Sequence, residues 1–188
     1  MNRITDCPRS SMRDGAEYRA ELTERRNGLT ITFKAAEPLS VYGLDDDAIW
    51  DGGGKRPDGV LISDVGFVCF VELKGAIDAT EPERGFEQLE GGVNHFCAWL
   101  AHGLVHHERF KRGDDRPSAC IGRRDDLLAL TSTHAVRGIL VVRRAGARRP
   151  PRVVERGGKR VRLVVIQRHA PYGRMEVTVD ALRAELGL

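Results

Sequence analysis

The chain has 188 residues, 41% hydrophobic and 30% charged, enough for one domain with a substantial core but not for two of ordinary size. No stretch approaches the ~18 apolar residues of a membrane-spanning helix, and the first residues, MNRITDCPRSSMRDG, lack the apolar segment of a secretory signal. The formal charge of +3 hides a division: residues 1–100 carry 11 Lys+Arg against 18 Asp+Glu, and residues 101–188 carry 19 against 9.

Taken in chain order, residues 14–26 (DGAEYRAELTERR) have helix-forming composition, with a stop at Asn27-Gly28. LTITFKA (29–35) alternates with β-branched residues and reads as a strand, and LSVYGL as a second short one. An acidic, glycine-rich loop follows, DDDAIWDGGGKR. PDGVLI and GFVCFVELKG form two apolar strands around Ser63-Asp64-Val65-Gly66, a hairpin signal.

Residues 82–107 predict a long helix, with Phe86, Leu89, Val93, Phe96, Trp99, Leu100 and Leu104 at helical spacing and Gly91-Gly92 weakening its middle. Residues 108–126 are polar and basic, a loop or flap. GILVVRR (138–144) and VRLVVIQRH (161–169) are strands joined by the basic AGARRPPRVVERGGKR, and TVDALRAELGL is a final helix with Thr178 as N-cap. The order predicts an α+β fold, a mixed β-sheet flanked by helices. It forms a single domain over 1–188, with a core of about 14–107 and 137–188 and an inserted loop region at 108–136.

The chemistry concentrates in Pro57-Asp58-Gly59 and Glu72-Leu73-Lys74. Alternation along a strand puts Glu72 and Lys74 on one face and Cys69, Val71 and Leu73 on the other. The short hairpin brings Asp58 beside Glu72. Charges at the end of an apolar hairpin must be solvated, paired or metal-bound. Two carboxylates with a backbone carbonyl between them suit Mg²⁺, which takes few protein ligands and keeps its waters. The chain has 25 Arg and only 5 Lys, yet it places Lys74 at the end of its most apolar strand. A compact ammonium that can release a proton is something Arg does not supply. The alternative is a surface salt-bridge cluster on an α/β protein, for an isolated Glu-x-Lys has no specificity.

These residues resemble the signature of the PD-(D/E)XK nuclease superfamily, the restriction-endonuclease-like fold. The likeness runs over roughly Asp14 to His95: the Pro-Asp, the fourteen-residue step from Asp58 to Glu72, the Glu-x-Lys and the apolar run before it. It implies that Asp58, Glu72 and the carbonyl of Leu73 bind Mg²⁺, with Mn²⁺ as a substitute, and that Lys74 assists the attacking water. It also implies a DNA endonuclease leaving a 5′-phosphate, in restriction, another defence role or repair. A catalytically inactive binder of nucleic acid or protein on the same fold is the alternative. Many members add an acid from the first helix, for which Glu17 fits best and Glu21 next. With Glu24 these lie at i, i+4 and i+7 of the expected helix, and a solvated helix face is the other reading. Some branches use a Gln on the following helix, which would be Gln88. The fuller motif has Tyr four residues on, where this chain has Gly92.

The stretch from Arg137 to Arg162 holds ten basic residues against Glu155 alone, and few aromatics. Phosphate-backbone contact through Arg143, Arg144, Arg148, Arg149, Arg152, Lys159 and Arg160 is expected rather than base stacking. Duplex DNA is cut by symmetric dimers, so a homodimer is expected. Cys7, Cys69, Cys97 and Cys120 form no CxxC pair and imply buried thiols in a reduced, cytoplasmic compartment. Asp45-Asp46-Asp47 with Asp51 reads as a solvated loop, and His102, His106 and His107 read as surface histidines without a third metal ligand.

Overall fold

The structure, a computed structural model, describes residues 9–10, 12–14, 17–24, 26, 28–37, 39–43, 55–63, 67–75, 81–101, 135–143, 151–156, 159–168 and 170–188. In chain order the strands are β1 (Arg9–Ser10), β2 (Met12–Asp14), β3 (Glu17–Glu24), β4 (Leu29–Ala35), β5 (Leu39–Gly43), β6 (Gly59–Ser63) and β7 (Phe67–Lys74). Helix α1 (Glu81–Ala101) follows, then β8 (Ala135–Val142), β9 (Arg152–Arg156), β10 (Lys159–Gln167), a 3-10 turn (Pro171–Gly173), β11 (Arg174–Thr178) and α2 (Val179–Leu186). The fold is α+β, with two mixed sheets. One has the order β1-β5-β6-β7-β8-β10-β9, the other β11-β4-β3-β2.

The apolar residues of the larger sheet divide by strand parity. Cys69, Val71 and Leu73 of β7, with Leu61, Ile139, Val141 and Ile166, face the second sheet. There they pack on Leu22, Ile31 and Phe33 of that sheet and on Val179, Leu182 and Leu186 of α2. Val68 and Phe70, with Val60, Leu140, Val142 and Leu163, face α1 and cover its Phe86, Leu89 and Val93. Those three helix residues recur at helical spacing, and each buried side chain of this size stabilises the fold by about 1.5–3 kcal/mol. The hairpin bearing the charged residues therefore lies between two cores. The strands at 29–35 and 39–43, the β6–β7 pairing, the two later strands and α2 all occur as the sequence predicts. Thr178 caps α2 through a bond from Ala181 N (3.3 Å).

The expected helix over 14–26 is corrected: Asp14 ends β2, and Glu17–Glu24 form β3. Glu, Ala, Leu and Arg favour helix by composition, but EYRAELTE also alternates, and Ala20, Leu22 and Glu24 are buried while Glu17, Glu21 and Thr23 are exposed. Pairing with β4 sets Ala20 opposite Phe33 and Leu22 opposite Ile31, which makes one apolar row. Packing across the sheet outweighs the helix preference, a difference of only tenths of a kcal/mol per residue. Gly28, at φ +63°, lies between β3 and β4 rather than after a helix.

Among the described residues, three further strands arise where none is predicted: β1, which pairs antiparallel with β5, and two later ones. β9 forms inside the basic connection and pairs antiparallel with β10. β11 pairs in parallel with β4 and leads directly into α2. Among the described residues, no helix is long and apolar enough to cross a membrane. The expected loop region 108–126, the histidines of 102–107 and the acidic loop 45–51 lie outside the described residues.

Candidate active site

β6 starts at Gly59, which pairs with Val71, and so stops short of the last three residues of β7. The edge that a longer β6 would have covered is filled by side chains. Leu73 N donates to Asp58 Oδ2 (2.6 Å), and Asp58 N donates to Glu72 Oε2 (3.1 Å). The two carboxylates are thereby fixed by reciprocal bonds to each other's backbone segment. Bonds of this kind, to an ionised acceptor, are the strong ones.

Glu72 is fully buried and Asp58 7% exposed. Glu72 Oε1 lies 2.7 Å from Lys74 Nζ on the same strand face, and the lysine side chain keeps 19% of its surface. Of the three side chains, that of Lys74 is the most open to solvent. On the other edge of β7, Lys74 O accepts from Arg143 N (3.1 Å). Successive residues of a strand direct their backbone groups to opposite edges. The carbonyl of Leu73 accordingly points, with its N–H, to the edge occupied by Asp58.

Helix α1 holds the segment leading into Asp58. Lys55 Nζ pairs with the Glu87 carboxylate, Gln88 Nε2 donates to Arg56 O (3.1 Å), and the Pro57 ring lies on Gly92. A Cβ at Gly91 would stand 1.9 Å from Lys55 O; one at Gly92 would stand 2.6 Å from Pro57 Cγ and 3.1 Å from Phe70 Cδ1. The two glycines that weaken the helix on paper are what let this strap lie against it. Three consecutive residues are anchored before Asp58, whose own backbone and carboxylate are then anchored to β7. Sequence reasoning missed the strap; its one signal was the Gly-Gly pair inside an otherwise regular helix.

The hairpin thus brings Asp58, Glu72 and Lys74 together as expected, and Gln88 sits on the face of α1 toward the strap. Its Oε1 is buried and has no hydrogen-bond partner among the described residues. Glu17 does not join them. It lies exposed on β3 of the second sheet, its carboxylate 3.5 Å from Arg19, because the helix that would have carried it is a strand. Glu21 accepts from Thr32 Oγ1 (3.2 Å) and Glu24 from Arg26 N (2.8 Å). Among the described residues, no third His, Cys, Asp or Glu completes a metal-binding group.

The basic residues separate into kinds. Arg152 is engaged within the fold: it reaches Glu83 (3.0 Å) and Glu90 (3.3 Å) of α1 and lies over the Phe86 ring (5.5 Å to the centroid). These contacts make it a clasp between β9 and α1. Arg160 lies 3.6 Å from Glu155 across the β9–β10 pair. Arg143 is exposed beside Lys74 at the carboxylate end of the sheet. Lys159 opens β10, and Arg144, Arg148 and Arg149 lie outside the described residues.

Comparison with family models, with curated proteins and with solved structures finds no match to this chain.

Proposed function

We propose that this chain is a Mg²⁺-dependent nuclease that hydrolyses phosphodiester bonds of DNA, of the restriction, defence or repair type that its PD-(D/E)XK resemblance implies. The observation that carries this reading is the convergence of Asp58, Glu72 and Lys74 at the open end of β7, locked by backbone bonds. The donor set suits a hard cation, since two carboxylates and the Leu73 carbonyl lie on one edge and all are oxygen donors. Asp58, Glu72 and Leu73 O would hold Mg²⁺, or Mn²⁺ in its place. When bound, the ion would supply charge stabilisation and activation of a water.

The chain's own residues have separable tasks. The strap and the reciprocal bonds fix the carboxylates, so no reorganisation is needed as charge develops. Lys74, partly exposed, would hold or release a proton at the attacking oxygen and offset charge on the phosphate. Arg143 would meet a neighbouring backbone phosphate. A symmetric dimer would place two such sites on a duplex.

The test is plasmid cleavage with Mg²⁺ against EDTA, across duplex, single-stranded and branched DNA, alongside calorimetry with Mg²⁺ alone. Asp58→Ala, Glu72→Ala and Lys74→Ala should each abolish cleavage and leave DNA binding largely intact. The two carboxylate variants should also lose the Mg²⁺ heat. Undiminished cleavage by all three variants removes the proposal. Salt-sensitive DNA binding without nicking by the wild-type protein, with either metal, instead assigns a catalytically inactive nucleic-acid binder.

A further inference from the structure

On the opposite face of the larger sheet, and toward the other ends of its parallel strands, lies a second charged group. Register places Leu61, Cys69, Arg137 and Arg162 in one row across β6, β7, β8 and β10. By strand parity Arg137 shares its face with Ile139 and Val141, and Arg162 shares its face with Val164 and Ile166, the side packed against the second sheet. Lys74 pairs with Val142, five residues beyond Arg137 on β8, which separates the two groups by roughly 16 Å along the strand.

Arg137 and Arg162 are directly abreast on neighbouring parallel strands, and both are half-buried. Like charges so placed repel. Burial, reinforced by the Arg162 guanidinium, weakens the hold of Arg137 on its proton. No carboxylate pairs with either residue among the described residues. Arg137 Nη1 donates to its neighbour's carbonyl, Val136 O (2.9 Å), and its buried Nε has no partner among the described residues. Cys69, next in the row, offers no countercharge, because burial pushes its thiol pKa far up and keeps it neutral. Arg162 Nη1 lies near the end of α2, 3.0 Å from where a Cβ at Gly187 would stand, and so meets the partly negative end of that helix. Among the described residues, Arg137 has no such relief.

We propose that Arg137 and Arg162 form a binding site for a phosphate group, distinct from the carboxylate site. Two arginines abreast on neighbouring strands, with donors left over and no acid paired to them among the described residues, match the charge and the several acceptor oxygens of a tetrahedral oxyanion. The phosphate belongs to a free phosphate or nucleotide, or to a nucleic-acid backbone. The site depends on nothing in the nuclease reading and stands or falls separately from it.

The test uses the full chain. Inorganic phosphate, titrated at constant ionic strength against chloride, should raise the melting temperature and bind measurably by calorimetry. Arg137→Gln and Arg162→Gln should each weaken phosphate binding by roughly ten- to a hundredfold. Neither should lower the melting temperature without phosphate, since each removes a repulsion. Arg137→Lys, which keeps the charge and loses the fork, should bind phosphate several-fold more weakly than wild type. Arg174→Gln, on the exposed face of β11, should respond as wild type. An equal phosphate response in wild type and both Gln variants, or a wild-type response no larger than that to chloride, overturns the proposal. A competing oligonucleotide without terminal phosphates then separates the sources. If it displaces phosphate from the wild type, the site serves a nucleic-acid backbone; if it does not, the site serves a free phosphate or nucleotide.

Discussion

The larger sheet carries charge at two places, and they are built on opposite principles. At the end of β7, the Asp58 and Glu72 carboxylates each accept a backbone N–H, and Lys74 balances Glu72 at 2.7 Å. On the other face, Arg137 and Arg162 stand abreast, and the buried Arg137 Nε has no partner among the described residues. The first cluster is self-consistent without a ligand, so its geometry is set before anything binds. The second is incomplete by itself, and an anion would lower its energy. Rigid preorganisation suits a site that must hold its own groups for chemistry; stored repulsion suits one that is relieved by binding.

Removing the ammonium tests the first half of this contrast most severely. Lys74→Met keeps the stem and loses the charge. Cleavage should fall by at least about 10²–10⁴-fold, the usual range for a positioned proton-transfer group. Glu72 would also be left buried without its cation, a change that costs about 3–5 kcal/mol where burial is complete and less here, where Lys74 is partly exposed. Urea denaturation beside single-turnover cleavage separates the two effects. A variant that unfolds earlier but cleaves normally would reduce Lys74 to a structural counterion.

Glycine substitutions compare the rigidity of the two regions. Helix propensity alone would make Gly91→Ala stabilising by about 1 kcal/mol. Here the new Cβ would meet the Lys55 carbonyl, a backbone atom, at 1.9 Å. The strap must move, so the sign should reverse, with a net loss of about 3 kcal/mol, the upper end for overpacking. Gly138, next to Arg137, also lacks space, but what a Cβ would meet there is Leu163 Cδ2 at 2.6 Å, the end of a side chain. Gly138→Ala should cost about 1 kcal/mol. Equal losses in denaturant midpoints would mean that the strap is no stiffer than the core. Smaller still is the change expected at the arginine row, where Arg137→Gln should leave stability unchanged or raise it by up to about 1 kcal/mol.

What could be read from the sequence follows the range of the interactions involved. Asp58, Glu72 and Lys74 were legible because strand alternation and a short hairpin fix their relation within seventeen residues. Cys69 follows by the same parity, and it is fully buried. Glu17 was misplaced because the composition of EYRAELTE favours helix, while the row that makes it a strand is supplied by Ile31 and Phe33 across a hairpin. The contacts of Arg152 were not legible, because its neighbours in sequence are basic while Glu83 and Glu90 reach it from more than sixty residues away. β11 was missed for the same reason: five residues, RMEVT, paired in parallel with a strand more than 140 positions earlier. Gln88 was legible as a residue of the site's helix, though not its bond to Arg56 O, which depends on how closely Gly91 and Gly92 let the strap approach.

A third arrangement of charge supplies the mildest test, since it is paired like the β7 cluster but open to water. On the second sheet, Lys34 Nζ pairs with Glu176 Oε2 between β4 and β11, and the glutamate side chain keeps 60% of its surface. The hydrogen bond from Lys34, helped by the charges of Lys34 and Arg19 and opposed by slight desolvation, holds the Glu176 carboxyl below its ordinary value of 4.5. A carboxyl pKa depressed by folding means that the unfolded chain binds the proton more readily. The pair therefore contributes stability above the ordinary carboxylate range and loses it as pH falls through the folded value. Exposure limits that contribution to under about 1 kcal/mol at neutral pH. Glu176→Gln should show a deficit of this size in urea denaturation at pH 7, shrinking as pH falls below the ordinary carboxylate range and reduced in high salt. A deficit that persists in acid would instead belong to packing across β4 and β11. In that case water exposure alone would not separate this pair from the buried one at β7.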